Sequence, residues 1–253
     1  MCRADTMVKI QTVMTDSDTN PNVQNPSVTR AVRYRRGQMR REDSLGAETA
    51  PIMESIANCE KKTGFVIDLR AHEYRNYKLV TFLSEGQRKE YLQKAGRTAV
   101  QVESKTVDTG ERKVFLGHSA KHLITTTKRS DANSGGREET IDGWYIDHER
   151  PDRNCAPDFV RSEPYYLIGT ALVYYPDVAE LHHTGPLPTG MAVKLKLTEK
   201  LPAIKDGKPS RTTTIEETVE ELSDSPLGPS LFELPSGLHE NPQLFRDHTI
   251  SSR

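Results

Sequence analysis

Apolar residues along this chain recur at period two more often than at the helical period, and the alternation is cleanest between Glu111 and Asp147. Two strand-like runs there are joined by the polar turn Asn133-Ser134-Gly135-Gly136. Val114, Leu116, Ala120 and Ile124 fall on one face of the first run, and Thr126 continues it. Trp144 and Ile146 give the returning run a matching apolar side. The pattern predicts an antiparallel pair.

The same reading extends outward. Val8 to Met14 is a short strand, followed by a turn-rich connection full of Asn, Asp and Pro. Ser27 to Leu45 reads as one long, half-wet strand with Val28, Val32 and Tyr34 on a face and a bend at Gly37. Ala50–Cys59 and Gly64–Leu69 flank a hairpin-length connection, with Phe65, Ile67 and Leu69 alternating against Val66, Asp68 and Arg70. Ser84-Glu85-Gly86-Gln87 matches a capping box, and Tyr91, Leu92 and Ala95 behind it predict one modest helix stopped by Gly96.

Residues 149–163 form a Pro-containing loop, and 164–183 are the most apolar stretch of the chain. Val193, Leu195 and Leu197 then point inward with Lys194 and Lys196 outward. Residues 205–210 are a hairpin loop and Thr212–Leu222 its return strand. Ser225–Leu238 reads as a tight helical turn or loop ending in a short strand. The predicted organisation is a flexible 1–7, one β domain over 8–238, and a flexible tail over 239–253.

Composition narrows the class. With 34% apolar and 28% charged residues and a mean hydropathy of −0.67, a thin sheet with one wet face fits better than a multilayer α/β enzyme. A formal charge of −1 removes any global electrostatic argument for nucleic acid or an anionic membrane, so partners must be argued locally. No apolar run reaches the roughly 20 residues of a transmembrane helix, and Met1–Gln11 contains no stretch of signal-peptide length. The expected object is a soluble chain, either cytoplasmic or exported with its targeting segment removed.

Candidate chemistry is sparse. His118 and His122 have the helical metal-ligand spacing, but on a strand they stand roughly 13 Å apart, and two half-buried strand histidines is the plainer reading. His182 and His183 point to opposite faces, so at most one could join a site. Asp142, Asp147 and His148 bracket Trp144 as a candidate acid/base cluster, although Asp142-Gly143 is more simply a turn or bulge. Six arginines between Arg30 and Arg41 resemble a basic nucleic-acid surface. Glu216, Glu217, Glu220 and Glu221 could pair with them across strands, making a charged outer face instead. Neither a phosphate-binding Gly loop nor a Gly-x-Ser-x-Gly elbow occurs.

Three cysteines allow one bridge. If the loop carrying Cys155 folds over the Cys59 hairpin, a candidate Cys59–Cys155 disulfide would close almost a hundred residues, worth roughly 4 kcal/mol in the chain-entropy model. Cys2 would be the odd one out, either an unpaired thiol or a lipid-modified residue.

The order of these pieces resembles bacterial cell-envelope proteins of the LolA/LppX-like half-barrel family. The resemblance rests on Arg36-Gly37-Gln38-Met39-Arg40, Lys113–Thr125, Gly143-Trp144-Tyr145-Ile146-Asp147 and Phe232-Glu233-Leu234-Pro235-Ser236-Gly237, and covers most of residues 8–238. It implies a mainly β (α+β) fold: a single strongly curved antiparallel sheet packed around one or two short helices. It also implies a periplasmic location, peripheral or lipid-anchored membrane association, and a concave face that holds acyl chains. Tyr165, Tyr166, Leu167, Ile168, Leu172, Val173, Tyr174 and Trp144 are the expected lining. The resulting expectation is a non-enzymatic protein with no cofactor, metal or nucleic-acid partner, binding a lipid or lipidated protein. The alternative is a scaffold with a fully packed core that docks a protein through its Arg-rich face. A hydrolase built on Asp142, Asp147 and His148 would need those side chains to converge.

Overall fold

The computed structural model describes residues 5–16, 27–35, 39–45, 51–78, 90, 93–94, 100–130, 136–148, 179–201 and 210–244. Its strands are β1 (Thr6–Asp16), β2 (Ser27–Arg35), β3 (Met39–Leu45), β4 (Pro51–Asn58), β5 (Thr63–Asp68), β6 (Glu73–Lys78), β7 (Val100–Phe115), β8 (His118–Ser130), β9 (Arg137–Ile146), β10 (Ala179–Thr184), β11 (Met191–Leu201), β12 (Arg211–Ser223) and β13 (His239–Glu240). All join one sheet in the order β10-β7-β8-β9-β11-β12-β1-β2-β3-β4-β5-β6-β13. Its two edges are different strands, so the sheet is open. Its pairings are antiparallel except at the edges, where β10 runs parallel to β7 and β13 parallel to β6.

Local chemistry explains the turns. Between β4 and β5 the Asn58 side chain accepts the Lys61 N–H at 2.8 Å. Between β5 and β6 the Asp68 carboxylate accepts the N–H groups of Arg70 at 2.9 Å and Ala71 at 3.0 Å, an Asx turn that reverses the chain. The predicted alternation of β11 is observed: Leu195 and Leu197 are buried, whereas Lys194 and Lys196 are exposed.

Three expectations are corrected. The long strand over 27–45 is two antiparallel strands, β2 and β3, in register from Thr29 opposite Leu45 to Arg35 opposite Met39. Folding back brings Arg33 into an ion pair with Asp43, which one continuous strand could not do. The run from Glu111 to Ile124 is likewise broken, by a two-residue turn at Leu116 (φ 50°) and Gly117 (φ 80°) that ends β7 and starts β8. Finally, no α-helix packs on the sheet among the described residues. Glu90, Gln93 and Lys94 are helical, with Lys94 Nζ 2.7 Å from Glu90 Oε1, and the rest of that predicted helix lies outside the described residues.

A 3-10 turn, Pro229–Phe232, covers part of the sheet instead. Phe232 packs with Ile56 and Ile67, joined by Phe65, Tyr74, Leu231 and Leu234. Prolines at 226, 229 and 235 prevent a longer helix in this stretch. Arg41 Nη1 donates to the Leu231 carbonyl at 3.1 Å, tying the turn to β3. The chain remains attached past Leu238: the N–H of His239 donates to His72 O at 3.0 Å and that of Asn241 to Tyr74 O at 2.8 Å. At the other end Asp5 accepts the Leu227 N–H at 2.7 Å. Cys59 is disulfide-bonded, and Cys2 and Cys155 both lie outside the described residues.

Candidate functional site

Strand register sorts the side chains into two faces. One cross-strand row runs Leu123, Gly143, Leu195, Glu217, Thr12; the next runs Thr125, Ile141, Leu197, Ile215. Ile10, Val8 and Val32 continue this face into β1 and β2, and most of its members belong to one buried cluster. Tyr145 lies over Gly143, where an added Cβ would sit 2.6 Å from the tyrosine ring, so glycine is what lets the ring fold down onto the sheet. Toward the end of the strands the face turns polar. Ser104, Thr127, Glu139, Glu199 and Thr213 form the next row, with Thr127 Oγ1 donating to Ser104 Oγ at 3.3 Å and Arg137 bridging Glu139 and Glu199. The face is therefore apolar in its middle and hydrogen-bonding at one end.

Within the apolar middle sits a buried ion pair. Arg30 is 7% and Glu217 0% exposed. Arg30 Nη2 binds Glu217 Oε1 and donates to Thr12 Oγ1 at 2.8 Å, while the threonine hydroxyl lies 3.3 Å from the same carboxylate oxygen. This is the cross-strand pairing expected between the arginine run and the acidic stretch, but turned inward. The outer face carries the exposed pairs, Lys196 with Glu216 at 3.0 Å and Lys9 with Glu220 at 3.4 Å and Glu221 at 3.3 Å. Those contribute little each.

Trp144 stands on the face opposite Gly143. The His122 ring stacks on it at 4.6 Å and 9°, Phe115 lies 5.5 Å away, and Lys113 Nζ is 4.5 Å above the indole. His122 Nε2 is 2.7 Å from Asp142 Oδ1, and its Nδ1 is 3.1 Å from Thr109 Oγ1. A hydroxyl, an imidazole and a carboxylate are thus in line, which is the skeleton of a nucleophilic site. The amides beside it are already engaged and offer no oxyanion hole: the Gly110 N–H donates to Asp108 Oδ1 at 2.9 Å and the Glu111 N–H to Thr109 Oγ1 at 3.2 Å. The arrangement instead pins the irregular stretch of β7 between Asp108 and Arg112, where the register shifts, against β8. Two hydrogen bonds from Arg112 and one from Gly110 hold the Asp108 carboxyl down at about 2.

The predicted acid/base trio does not converge. Asp142 pairs with His122, His148 Nε2 reaches Asp224 at 3.1 Å, and Asp147 is exposed. His118 faces His148 with ring centres 6.3 Å apart rather than sharing a site with His122. Among the described residues no three His, Cys, Asp or Glu side chains gather to hold a metal ion, and no helix is long and apolar enough to cross a membrane. Of the predicted lining only Trp144 is described; Tyr165, Tyr166, Leu167, Ile168, Leu172, Val173 and Tyr174 lie outside the described residues. Sequence reading missed the His122–Asp142 pair and Thr109. Period-two alternation from Asp142 and His122 across the hairpin was the signal that could have found the first, and nothing local marks the second.

A second charged cluster lies on the other half of the sheet. Arg41 Nη2 donates to Glu54 Oε1 at 2.6 Å and its Nε to Asp43 Oδ1 at 2.8 Å. Burial pushes the Glu54 carboxyl up, against the pull of Arg41 and with a further push from Asp43. A carboxyl raised in the folded state binds its proton more tightly there than when unfolded. Its stabilising contribution is therefore complete below the ordinary glutamate range and is lost as pH rises through the folded value. Glu54→Gln is expected to gain stability relative to the parent on going from pH 4 to pH 7, measured as the difference in urea midpoints at the two pH values. An unchanged difference would show that Arg41 compensates the burial fully.

No family model matches the sequence, and no curated protein does. Among solved structures the chain is similar to an uncharacterized conserved protein from Thermus thermophilus, at 7% identity and TM-score 0.39, covering 94% of this chain and 90% of that one. It is also similar to a domain provisionally described as an outer membrane lipoprotein-sorting protein from Vibrio parahaemolyticus, at 9% identity and TM-score 0.32, covering 91% and 89%. A LolA superfamily protein from Nitrosomonas europaea matches at 8% identity and TM-score 0.34, covering 91% and 90%.

Proposed function

We propose that the protein is a non-enzymatic envelope carrier, holding a lipid or the acyl chains of a lipidated protein against the apolar face of its open sheet. The observation that carries this reading is the row-by-row register of that face: Leu123, Ile141, Leu195, Leu197, Ile215 and Val219 across four adjoining strands, bordered at one end by the Ser104–Thr127–Glu139–Glu199–Thr213 strip. Leu123, Ile141, Leu195, Leu197 and Val219 are buried within the folded chain, so acyl chains would reach them as this face opens, and a headgroup would meet the hydroxyls and charges of the strip. Residues 165–174 would complete the lining, and the site of action would be the periplasm or cell envelope. Catalysis has no support in the His122 cluster, whose adjacent amides are already used.

Native mass spectrometry of protein purified from an envelope extract, followed by denaturing lipid extraction, tests this. A bound species of lipid mass is expected, and its occupancy should fall about tenfold or more in Leu197→Asp, which sets a charge in the apolar row. A clean apo mass with no extractable lipid would instead favour a protein-docking scaffold with a filled core.

A further inference from the structure

We propose that the tip of the β7–β8 hairpin docks the protein on an anionic phospholipid bilayer by inserting Val114 and Leu116. Leu116 is the first observation. It occupies the first position of a two-residue turn at φ 50°, followed by Gly117 at φ 80°, where Asn-Gly or Asp-Gly is the unstrained choice. A leucine there costs backbone strain, and its side chain is 43% exposed. Among the described residues it belongs to none of the hydrophobic clusters that would offset the strain, which fits a residue kept for an external contact.

Its neighbours have the same character. Val114 is 73% exposed and Leu187 59%. Lys121 Nζ donates to Thr189 Oγ1 at 2.9 Å, which brings the connection carrying Leu187 to this end of the sheet. Pairing of β8 with β9 ends at Ala120 opposite Ile146, so Val114 to Ser119 extend beyond the neighbouring strand. From Val114 to Leu116 the chain advances about 7 Å, comparable to the depth at which interfacial elements seat their apolar side chains. Phe115 and Lys113 hold the arm on Trp144, so the tip is presented on a fixed support.

Charge selects the occupant. Between Arg112 and Ser130 the sequence contains no Asp or Glu. Arg112 is closed on Asp108 by two hydrogen bonds of 2.9 Å. Lys113 and Lys121 flank the apolar tip, and neither is in an ion pair among the described residues. Exposed aliphatic side chains beside two lysines, Lys113 over the Trp144 ring and Lys121 also attracting the Asp108 carboxylate, fit an anionic lipid surface. The whole chain at −1 would not be attracted as a body, and this local arrangement makes its overall charge irrelevant within a Debye length. The inference stands independently of a lipid on the apolar face.

Vesicle flotation of the full chain tests it, with liposomes of phosphatidylcholine alone and of phosphatidylcholine mixed with phosphatidylglycerol. Binding is expected to the mixed vesicles and to weaken roughly thirtyfold on phosphatidylcholine alone or at about 0.5 M salt, as expected of about two lysines at the surface. Leu116→Asn should melt no lower than the parent, because asparagine accepts the left-handed turn position, yet bind mixed vesicles about tenfold more weakly; Val114→Asp should do the same. The proposal is overturned if both variants float like the parent, or if the parent binds no vesicles and loses only a protein partner on Leu116→Asn. Vesicle binding abolished by Leu197→Asp but untouched by Leu116→Asn would assign the lipid contact to the apolar face and also sink the tip.

Discussion

Glu217→Ala is expected to destabilise the protein by about 3–5 kcal/mol, because it removes the carboxylate bound to the buried Arg30 guanidinium. In a chain of this size that corresponds to a fall in Tm on the order of 10 °C. Arg30 and Glu217 are nearly inaccessible, and Thr12 completes the cluster from β1 with bonds to both. The cost measures the loss of one partner from a buried charge and not the net worth of the pair, so a second variant separates the two. Arg30→Met combined with Glu217→Leu should recover most of the loss, since buried ion pairs often break even against apolar residues of similar volume. Urea denaturation of the parent and both variants decides it. A single variant costing under about 1 kcal/mol would mean that the cluster is hydrated, and the account of this face would have to change.

Trp144→Ala should cost a comparable amount, about 3–5 kcal/mol, the usual range for deleting a large buried aromatic. Its effect should also be local in a way that the first is not. The indole supports His122, Phe115 and Lys113 at once, so its removal should loosen β7 from Asp108 to Phe115 selectively. Amide hydrogen exchange should show faster exchange in 108–118 than in β11 and β12, measured under conditions where the variant is still folded. Trp144→Phe keeps a stacking surface for His122 and should retain at least half of the stability. Uniform loss of protection across the sheet would show that the ring is ordinary core and that the hairpin arm is held by other contacts.

These two sites differ in how far they could be read before the fold was known. The apolar alternation of Val193, Leu195 and Leu197 against Lys194 and Lys196 was legible because a strand's two faces are set by its own sequence. So were the charged outer face, the hairpin connection read at residues 60–63 and found at 59–62, and the tight turn near Pro229. Arg30 and Glu217 looked like surface charges of a basic run and an acidic run. Nothing in the local sequence of either distinguishes it from its exposed neighbours; what buries them is that β12 and β2 both flank β1. The split of residues 27–45 into two strands was hidden for a related reason. Period-two alternation runs through a reversal without interruption, and only the pairing of Arg33 with Asp43 shows that the chain has turned back.

Leu116 shows the same limit from the opposite side. In the sequence it continues an apolar face with Val114, Ala120 and Ile124, whereas in the structure it occupies a left-handed turn and is open to solvent. What the amino-acid sequence by itself determined was local: strand propensity, the inward and outward sides of each strand, the mainly β class and the shortage of catalytic motifs. Tertiary structure decided which strands are neighbours, and so which charge is buried, which histidine meets which aspartate, and which leucine lies at a tip. Those outcomes depend on register between segments as much as two hundred residues apart, as with Thr12 and Glu217, and no short-range pattern carries that register.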